Sequence, residues 1–224
     1  LLFLLPLFPV SAEDALIWTP TAGQSSAQHI QQSLSANNRS STITSSISSL
    51  NLADYDYVFI CLGIYPDNHV LEDGSDIDQL VDYLENGGRL YLEGGDTWAR
   101  DDPTDLHPYF ATIGEADGQD DLSSIAGHGC LKGHQFEYAS SQAYIDHLAP
   151  QEGASLFFSN ENPAYGAGVG YDNGLYRTIA VSFEFGGLAD GSSTKDNLLG
   201  DILDFFDNGC STKGPPPMNV QAFS

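Results

Sequence analysis

The feature that most constrains the fold is an uninterrupted apolar run at residues 56–62 (DYVFICL). Such a run is typical of a strand buried on both faces inside a parallel sheet. Four apolar residues with helical spacing follow it: Ile77, Leu80, Val81 and Leu84. A second strand pattern (RLYLE) then occupies residues 89–93. The order strand, helix, strand predicts a βαβ unit with a right-handed crossover.

The same alternation is predicted on both sides of this unit. We expect helices at residues 25–38 and 195–207, a weak strand or loop at 41–50, and further strands at 15–19, 154–158, 165–171 and 176–183. Residues 97–138 show little periodicity and are predicted to be an excursion packed over one end of the sheet. The pattern therefore predicts an α/β fold, a flavodoxin-like three-layer sandwich with a mostly parallel sheet.

Charge excludes two classes of partner. The chain has 224 residues and a formal net charge of −24. Nucleic acids and anionic membrane surfaces both require a basic footprint, so neither is an expected partner. The chain is also 41% hydrophobic, which is ample for a folded core.

The two ends of the sequence differ in character from its centre. Residues 1–12 (LLFLLPLFPVSA) have the pattern of a partial secretory signal peptide, and they are too short to span a bilayer. We therefore predict a secreted or cell-surface protein whose mature chain has no membrane span, with the α/β domain at residues 13–210. Residues 211–217 (STKGPPP) are a predicted Pro-rich linker. Residues 218–224 (MNVQAFS) resemble the start of a fibronectin type III domain, so further domains are expected C-terminal to Ser224.

Cysteine usage fits an oxidising compartment without requiring one. The chain has three cysteines, of which Cys61 lies in the apolar strand pattern, whereas Cys130 and Cys210 lie in Gly-rich surroundings. Cys130 and Cys210 are therefore the candidates for a disulfide, and Cys61 is the candidate for a buried free thiol.

Between Asp54 and Phe206 the chain resembles the class I glutamine amidotransferase-like superfamily. The resemblance is carried by YDYVFICLGIYPDNHVL, LENGG, RLYLEGGDTW, YRTIAVSFEFGG and LLGDILDFF. It is strongest to members without apparent catalytic activity in secreted multidomain bacterial proteins, and it implies a flavodoxin-like fold.

The resemblance also implies that the catalytic cysteine is missing. Active members place a cysteine on a sharp turn after a strand, in Gly-x-Cys-x-Gly, and add a His and a Glu near the end of the domain. The corresponding turn here holds Gly94, Gly95 and Asp96, and no His-x-Glu follows Tyr176. A nucleophile needs a base within hydrogen-bond reach, and this pattern supplies neither group.

A ligand cleft is expected where the parallel strands end. In open α/β sheets, ligands bind outside the carboxyl ends of the strands. The residues that follow the predicted strands are the cleft candidates: Tyr65, Asn68, Glu93, Gly94, Gly95, Asp96 and Trp98.

Acidic residues crowd the region from Asp67 to Asp121, where the sequence has only Arg89 and Arg100 as basic residues. Hard cations such as Ca²⁺ bind six to eight oxygen ligands from carboxylates and carbonyls. The sequence contains no EF-hand spacing, and an ordinary solvated acidic surface is the alternative. No cofactor other than Ca²⁺ is expected, and its candidate ligands are Glu93, Asp96, Asp101 and Asp102.

Two functions follow as hypotheses from these observations. The first is a non-catalytic recognition or spacer module that binds an extracellular glycan or protein. The alternative is an extracellular hydrolase that uses the carboxylates around Asp96, with or without Ca²⁺.

Overall fold

The computed structural model describes residues 13–21, 25–140 and 143–210. The predicted signal peptide (1–12), linker (211–217) and start of a fibronectin type III domain (218–224) lie outside the described residues. These three assignments therefore stay predictions.

The described residues form three α-helices and twelve strands. The helices are α1 (Ser25–Ala36), α2 (Ser75–Glu85) and α3 (Lys195–Asn208). The strands are β1 (Ala15–Trp18), β2 (Ser41–Thr44), β3 (Tyr57–Cys61), β4 (Arg89–Glu93), β5 (Thr112–Ala116), β6 (Ser124–Gly127), β7 (Gln135–Tyr138), β8 (His147–Pro150), β9 (Ala154–Asn160), β10 (Tyr165–Asp172), β11 (Arg177–Val181) and β12 (Leu188–Ala189).

Five strands form the parallel half of the main sheet, in the order β2-β1-β3-β4-β11. This is the strand order of flavodoxin-like folds, so the predicted fold class is confirmed. The strands β1, β3 and β4 are almost entirely buried, as expected for parallel strands covered on both faces.

The other half of the main sheet is antiparallel and continues β11-β10-β9-β6-β7-β12. The prediction that residues 97–138 pack as an excursion over one end of the sheet is wrong in part, because β6 and β7 extend the sheet itself. Only β5 leaves the sheet, and it pairs with β8 in a separate two-stranded ribbon. These strands are four or five residues long, which is too short for a clear alternating pattern.

Side chains of the parallel strands alternate between two cores. Ile17, Phe59 and Tyr91 lie in the core beneath α1 and α3. Their chain neighbours, among them Leu16 and Val58, lie in the core beneath α2. Two helical layers therefore enclose one sheet, which is the predicted three-layer sandwich. No helix in the described part of the chain is both long enough and apolar enough to cross a membrane.

A disulfide fixes the end of the fold. Cys130, in the turn between β6 and β7, is bonded to Cys210, two residues beyond α3. Among the described residues Cys61 is the free cysteine, and it is fully buried in β3.

Candidate functional site

A tight turn follows β4 at the carboxyl end of the parallel sheet. The Gly94 N–H donates to the Val181 carbonyl at 3.1 Å, and the Gly95 N–H donates to the Gly63 carbonyl at 2.9 Å. The turn is therefore held between the ends of β3 and β11. A Cβ on Gly94 would overlap the Thr97 hydroxyl, so a side chain at this position would require Thr97 to move. The first side chain that the turn presents is that of Asp96.

Asp146 reaches this turn from a distant part of the sequence. Its N–H donates to the Gly95 carbonyl at 2.8 Å. One carboxylate oxygen, Oδ2, accepts the N–H groups of Trp98 at 2.8 Å and Ala99 at 2.7 Å. The residue is 0% exposed, yet its second oxygen, Oδ1, is buried with no hydrogen-bond partner. The carboxylate thus anchors the turn through one oxygen and leaves the other available.

Three carboxylates converge beside the turn. One oxygen from each of Asp96, Asp117 and Asp146 lies within 4.8 Å of the other two. Burial raises the pKa of Asp146 to about 6, and burial together with the Asp117 charge raises the pKa of Asp96. The nearest basic group, Arg100, holds its Nε 3.8 Å from Asp117 Oδ2, with both side chains well exposed. We call Asp96, Asp117 and Asp146 the carboxylate trio.

Two solvent-exposed aromatic rings lie next to the turn. Tyr65 is 57% exposed and Tyr144 is 42% exposed, and their ring centroids are 6.3 Å apart in an edge-to-face contact. Tyr65 follows β3 by chain order, and the Tyr144 carbonyl abuts Gly95. The pair therefore forms an accessible aromatic surface close to the carboxylate trio.

Trp98 is a cleft candidate that the structure places in a packing role. Its indole N–H donates to the Val181 carbonyl at 3.0 Å. Its ring packs edge-on against Phe110 and His107, with centroids 5.0 and 5.6 Å away. The indole ring is largely occupied by these contacts. Trp98 therefore holds the turn against β11 and offers little surface to a ligand.

Glu93 lies apart from the carboxylate trio, in the core on the α1 side of the sheet. Its Oε2 accepts the Phe185 N–H at 2.8 Å and the Tyr91 hydroxyl at 3.1 Å. Strand alternation explains the difference from the predicted ligand set, because Tyr91 and Glu93 point to the same face of β4. Burial, and then the nearby Glu184 carboxylate, raise the pKa of Glu93 to about 7.

The other two predicted ligands, Asp101 and Asp102, are not members of the carboxylate trio. They line an open groove of about 560 Å³, with Val70, Leu71 and Thr104 on its other walls. The Asp101 N–H donates to the Asp96 carbonyl at 2.8 Å, which places the backbone near the trio but leaves both carboxyls outside it. Asn68, the remaining candidate, is half-buried in the loop that follows β3.

Cys61 does not replace the missing nucleophile. The residue is 0% exposed, and burial raises the pKa of its thiol well above the ordinary value, with the Glu93 charge adding to the effect. A reactive cysteine needs the opposite, a lowered pKa and access to substrate. The other two cysteines are joined to each other in the disulfide.

Sequence reasoning missed Asp117, Tyr144 and Asp146. Asp117 is one acid among many in an acidic region, so the sequence carries no signal for it. Asp146 does carry one, because it stands between Ile145 and Leu148 in a run that is otherwise apolar apart from His147. A carboxylate in such a run is rarely buried unless it is bonded or functional.

No family model matches this chain, and no curated protein matches it. Among solved structures, a ThuA-like protein from Parabacteroides merdae has a TM-score of 0.58 at 12% identity, over 92% of this chain and 93% of that one. The mmIFT52 N-terminal domain also has a TM-score of 0.58 at 12% identity, over 85% of this chain and 96% of that one.

A third similar structure is a β-galactosidase from the haloarchaeon Halorubrum lacusprofundi. Its TM-score is 0.54 at 13% identity, and the match covers 87% of this chain but 30% of the enzyme. Identities this low show a shared fold alone. The ThuA-like match supports the class I glutamine amidotransferase-like fold that the sequence resembles.

Proposed function

We propose that this chain is a non-catalytic recognition module of a secreted or cell-surface multidomain protein, and that its ligand is an extracellular glycan. The observation that carries the proposal is the turn after β4. By chain order it has the position of a catalytic elbow, but Gly94 and Gly95 supply no nucleophile there, and exposed aromatic rings stand beside it.

A glycan fits the chemistry of this surface. Sugar rings present apolar C–H faces that pack on aromatic rings, and hydroxyl groups that donate hydrogen bonds to carboxylates. Tyr65 and Tyr144 offer the first kind of contact, and the half-buried Asp96 offers the second. Binding sites of this kind combine aromatic contact area with a few polar groups that fix orientation.

Two further observations support the proposed place of the chain in an extracellular multidomain protein. The Cys130–Cys210 disulfide is the kind of bond that persists outside the cytosol. In the β-galactosidase comparison, the matched region is about a third of a longer enzyme, so this fold also occurs within larger proteins that act on sugars. The predicted signal peptide and fibronectin type III segment belong to the same proposal.

The test is binding of the full chain to a panel of immobilised polysaccharides, followed by calorimetry with the retained oligosaccharide. We expect Tyr65→Ala and Tyr144→Ala each to weaken binding about tenfold or more, as for exposed aromatic anchors. Leu175→Ala is the matched control. Leu175 is 61% exposed, but it lies beside Gly87 near the amino-terminal ends of β4 and β11, at the opposite end of the strands from the turn. Equal affinity in the tyrosine variants and the control would refute the proposal.

The alternative proposal, a hydrolase acting through carboxylates, is favoured by one observation. Burial raises the pKa of Asp146 to about 6 beside the half-buried Asp96, and neighbouring carboxyl groups in different environments can divide the roles of acid and base. The expected result is release of reducing sugars by the full chain, abolished by Asp96→Asn with an unchanged melting temperature. Absence of turnover on the polysaccharides that the chain binds would leave recognition as the function.

A further inference from the structure

The carboxylate trio has a property that an ordinary acidic surface lacks. Asp146 is 0% exposed, and its Oδ1 is buried without a hydrogen-bond partner while Oδ2 accepts backbone N–H groups. Leaving a buried carboxylate oxygen unpaired is costly, so such atoms are rare in folded proteins. An ion at this position would satisfy the oxygen.

We infer that Asp96, Asp117 and Asp146 bind a divalent cation, and that the cation is Ca²⁺. This inference goes beyond glycan recognition and holds whether or not the module binds a sugar. The ligand set differs from the one that the sequence predicts, since it retains only Asp96.

The character of the ligands favours calcium over magnesium. The three trio oxygens all lie within 4.8 Å of one another, which is close enough for them to share one divalent cation. Mg²⁺ requires near-ideal octahedral geometry, whereas Ca²⁺ accepts irregular geometry and water ligands. Irregular geometry suits one buried, one half-buried and one exposed carboxylate.

The rest of the local structure is compatible with the ion. Oδ2 of Asp146 is held by the Trp98 and Ala99 N–H groups, so the carboxylate is already oriented before the ion arrives. Asp117 is paired with Arg100 at 3.8 Å, and both side chains are more than half exposed. A weak, exposed ion pair of this kind costs little to exchange for a cation.

The experiment is calorimetric titration of the full chain with CaCl₂ after treatment with EDTA, together with melting curves in CaCl₂ and in NaCl of equal ionic strength. We expect saturable calcium binding and a melting temperature that rises by several degrees more in CaCl₂ than in NaCl. Asp117→Asn should weaken the calcium Kd about tenfold or more, because the ligand charge sets the affinity.

Two variants sharpen the assignment. Asp146→Asn keeps an oxygen that can accept the backbone N–H groups, so it should fold while losing the calcium response. Asp102→Asn is the matched control: Asp102 is an exposed acid in the sequence-predicted set but outside the trio, and its removal should leave the calcium Kd unchanged.

Each outcome bears on the inference. Calcium binding lost in Asp117→Asn and retained in Asp102→Asn supports it. Equal melting temperatures in the two salts would overturn it, since the acids would then respond only to screening. Calcium binding unaffected by Asp117→Asn would also overturn it, and Asp117 is exposed enough for this variant to fold normally. Calcium binding by a wild-type chain that binds none of the sugars tested would count against the proposed function alone.

Discussion

Glu93→Gln should make the protein more stable at neutral and alkaline pH. Glu93 is 0% exposed, its Oε2 accepts the Phe185 N–H and the Tyr91 hydroxyl, and its Oε1 is buried with no hydrogen-bond partner. Burial, followed by the Glu184 charge, raises the pKa of Glu93 from 4.5 to about 7. The folded state therefore favours the neutral acid, and glutamine is its uncharged isostere.

The size and sign of the effect follow from linkage. A pKa that is higher in the folded state than in the unfolded state gives stability that is complete below the unfolded value and lost as pH rises through the folded value. For Glu93 the loss runs from pH 4.5 to about pH 7. It amounts to about 3 kcal/mol of unfolding free energy, at about 1.4 kcal/mol for each pH unit. The variant keeps the neutral form throughout and avoids this loss.

The measurement is urea unfolding of both proteins at pH values from 4 to 8.5. The difference in unfolding free energy between variant and wild type should be near zero at pH 4 and should grow to about 3 kcal/mol by pH 8. Most other titrating groups are common to both proteins and cancel in the difference. Glu152→Gln, at an exposed position, is the control and should give a flat difference. A flat difference for Glu93→Gln as well would refute the reasoning.

Three further changes test the fold. Phe206→Ala removes a fully buried ring on the inner face of α3 and should lower the unfolding free energy by about 3–5 kcal/mol in urea titrations. Replacing Cys130 and Cys210 together with serine opens a bridge between residues 80 apart in sequence, and should cost about 2–4 kcal/mol; the reduced wild type should then melt like the double variant. Thr194→Ala deletes the hydroxyl that caps α3 by accepting the Asn197 N–H, and should cost about 1 kcal/mol, while Thr194→Ser should restore the stability.

The parallel half of the fold was predictable because its signals are local. The apolar run before Gly63 and the helical spacing in α2 each lie within a dozen residues, and a continuous apolar run indicates a strand buried on both faces. The predicted helix 195–207 agrees with α3 (Lys195–Asn208) for the same reason, since one apolar stripe specifies it.

The antiparallel half was not predictable in the same way. The strands β6 and β7 are four residues each, and their positions depend on pairing with β9 and β12, which come later in the chain. The carboxylate trio likewise depends on contacts between residues that are far apart in the sequence. Asp96 and Asp146 are 50 positions apart, and hydrogen bonds of Asp146 to Gly95, Trp98 and Ala99 bring them together. Spacing in the sequence suggested Glu93 as a partner for Asp96, but the pleat of β4 turns that side chain to the other core.

The disulfide has a mechanical consequence. Tension applied at Cys210 would pass through the covalent bond into Cys130, and from there into the short turn that packs on α3 and β9. Helix α3 would then be shielded from peeling away from its last turn, because the bond diverts the pull before it reaches the helix. Force applied at this end of the α/β domain would therefore load the antiparallel half of the sheet, through the turn that packs on β9.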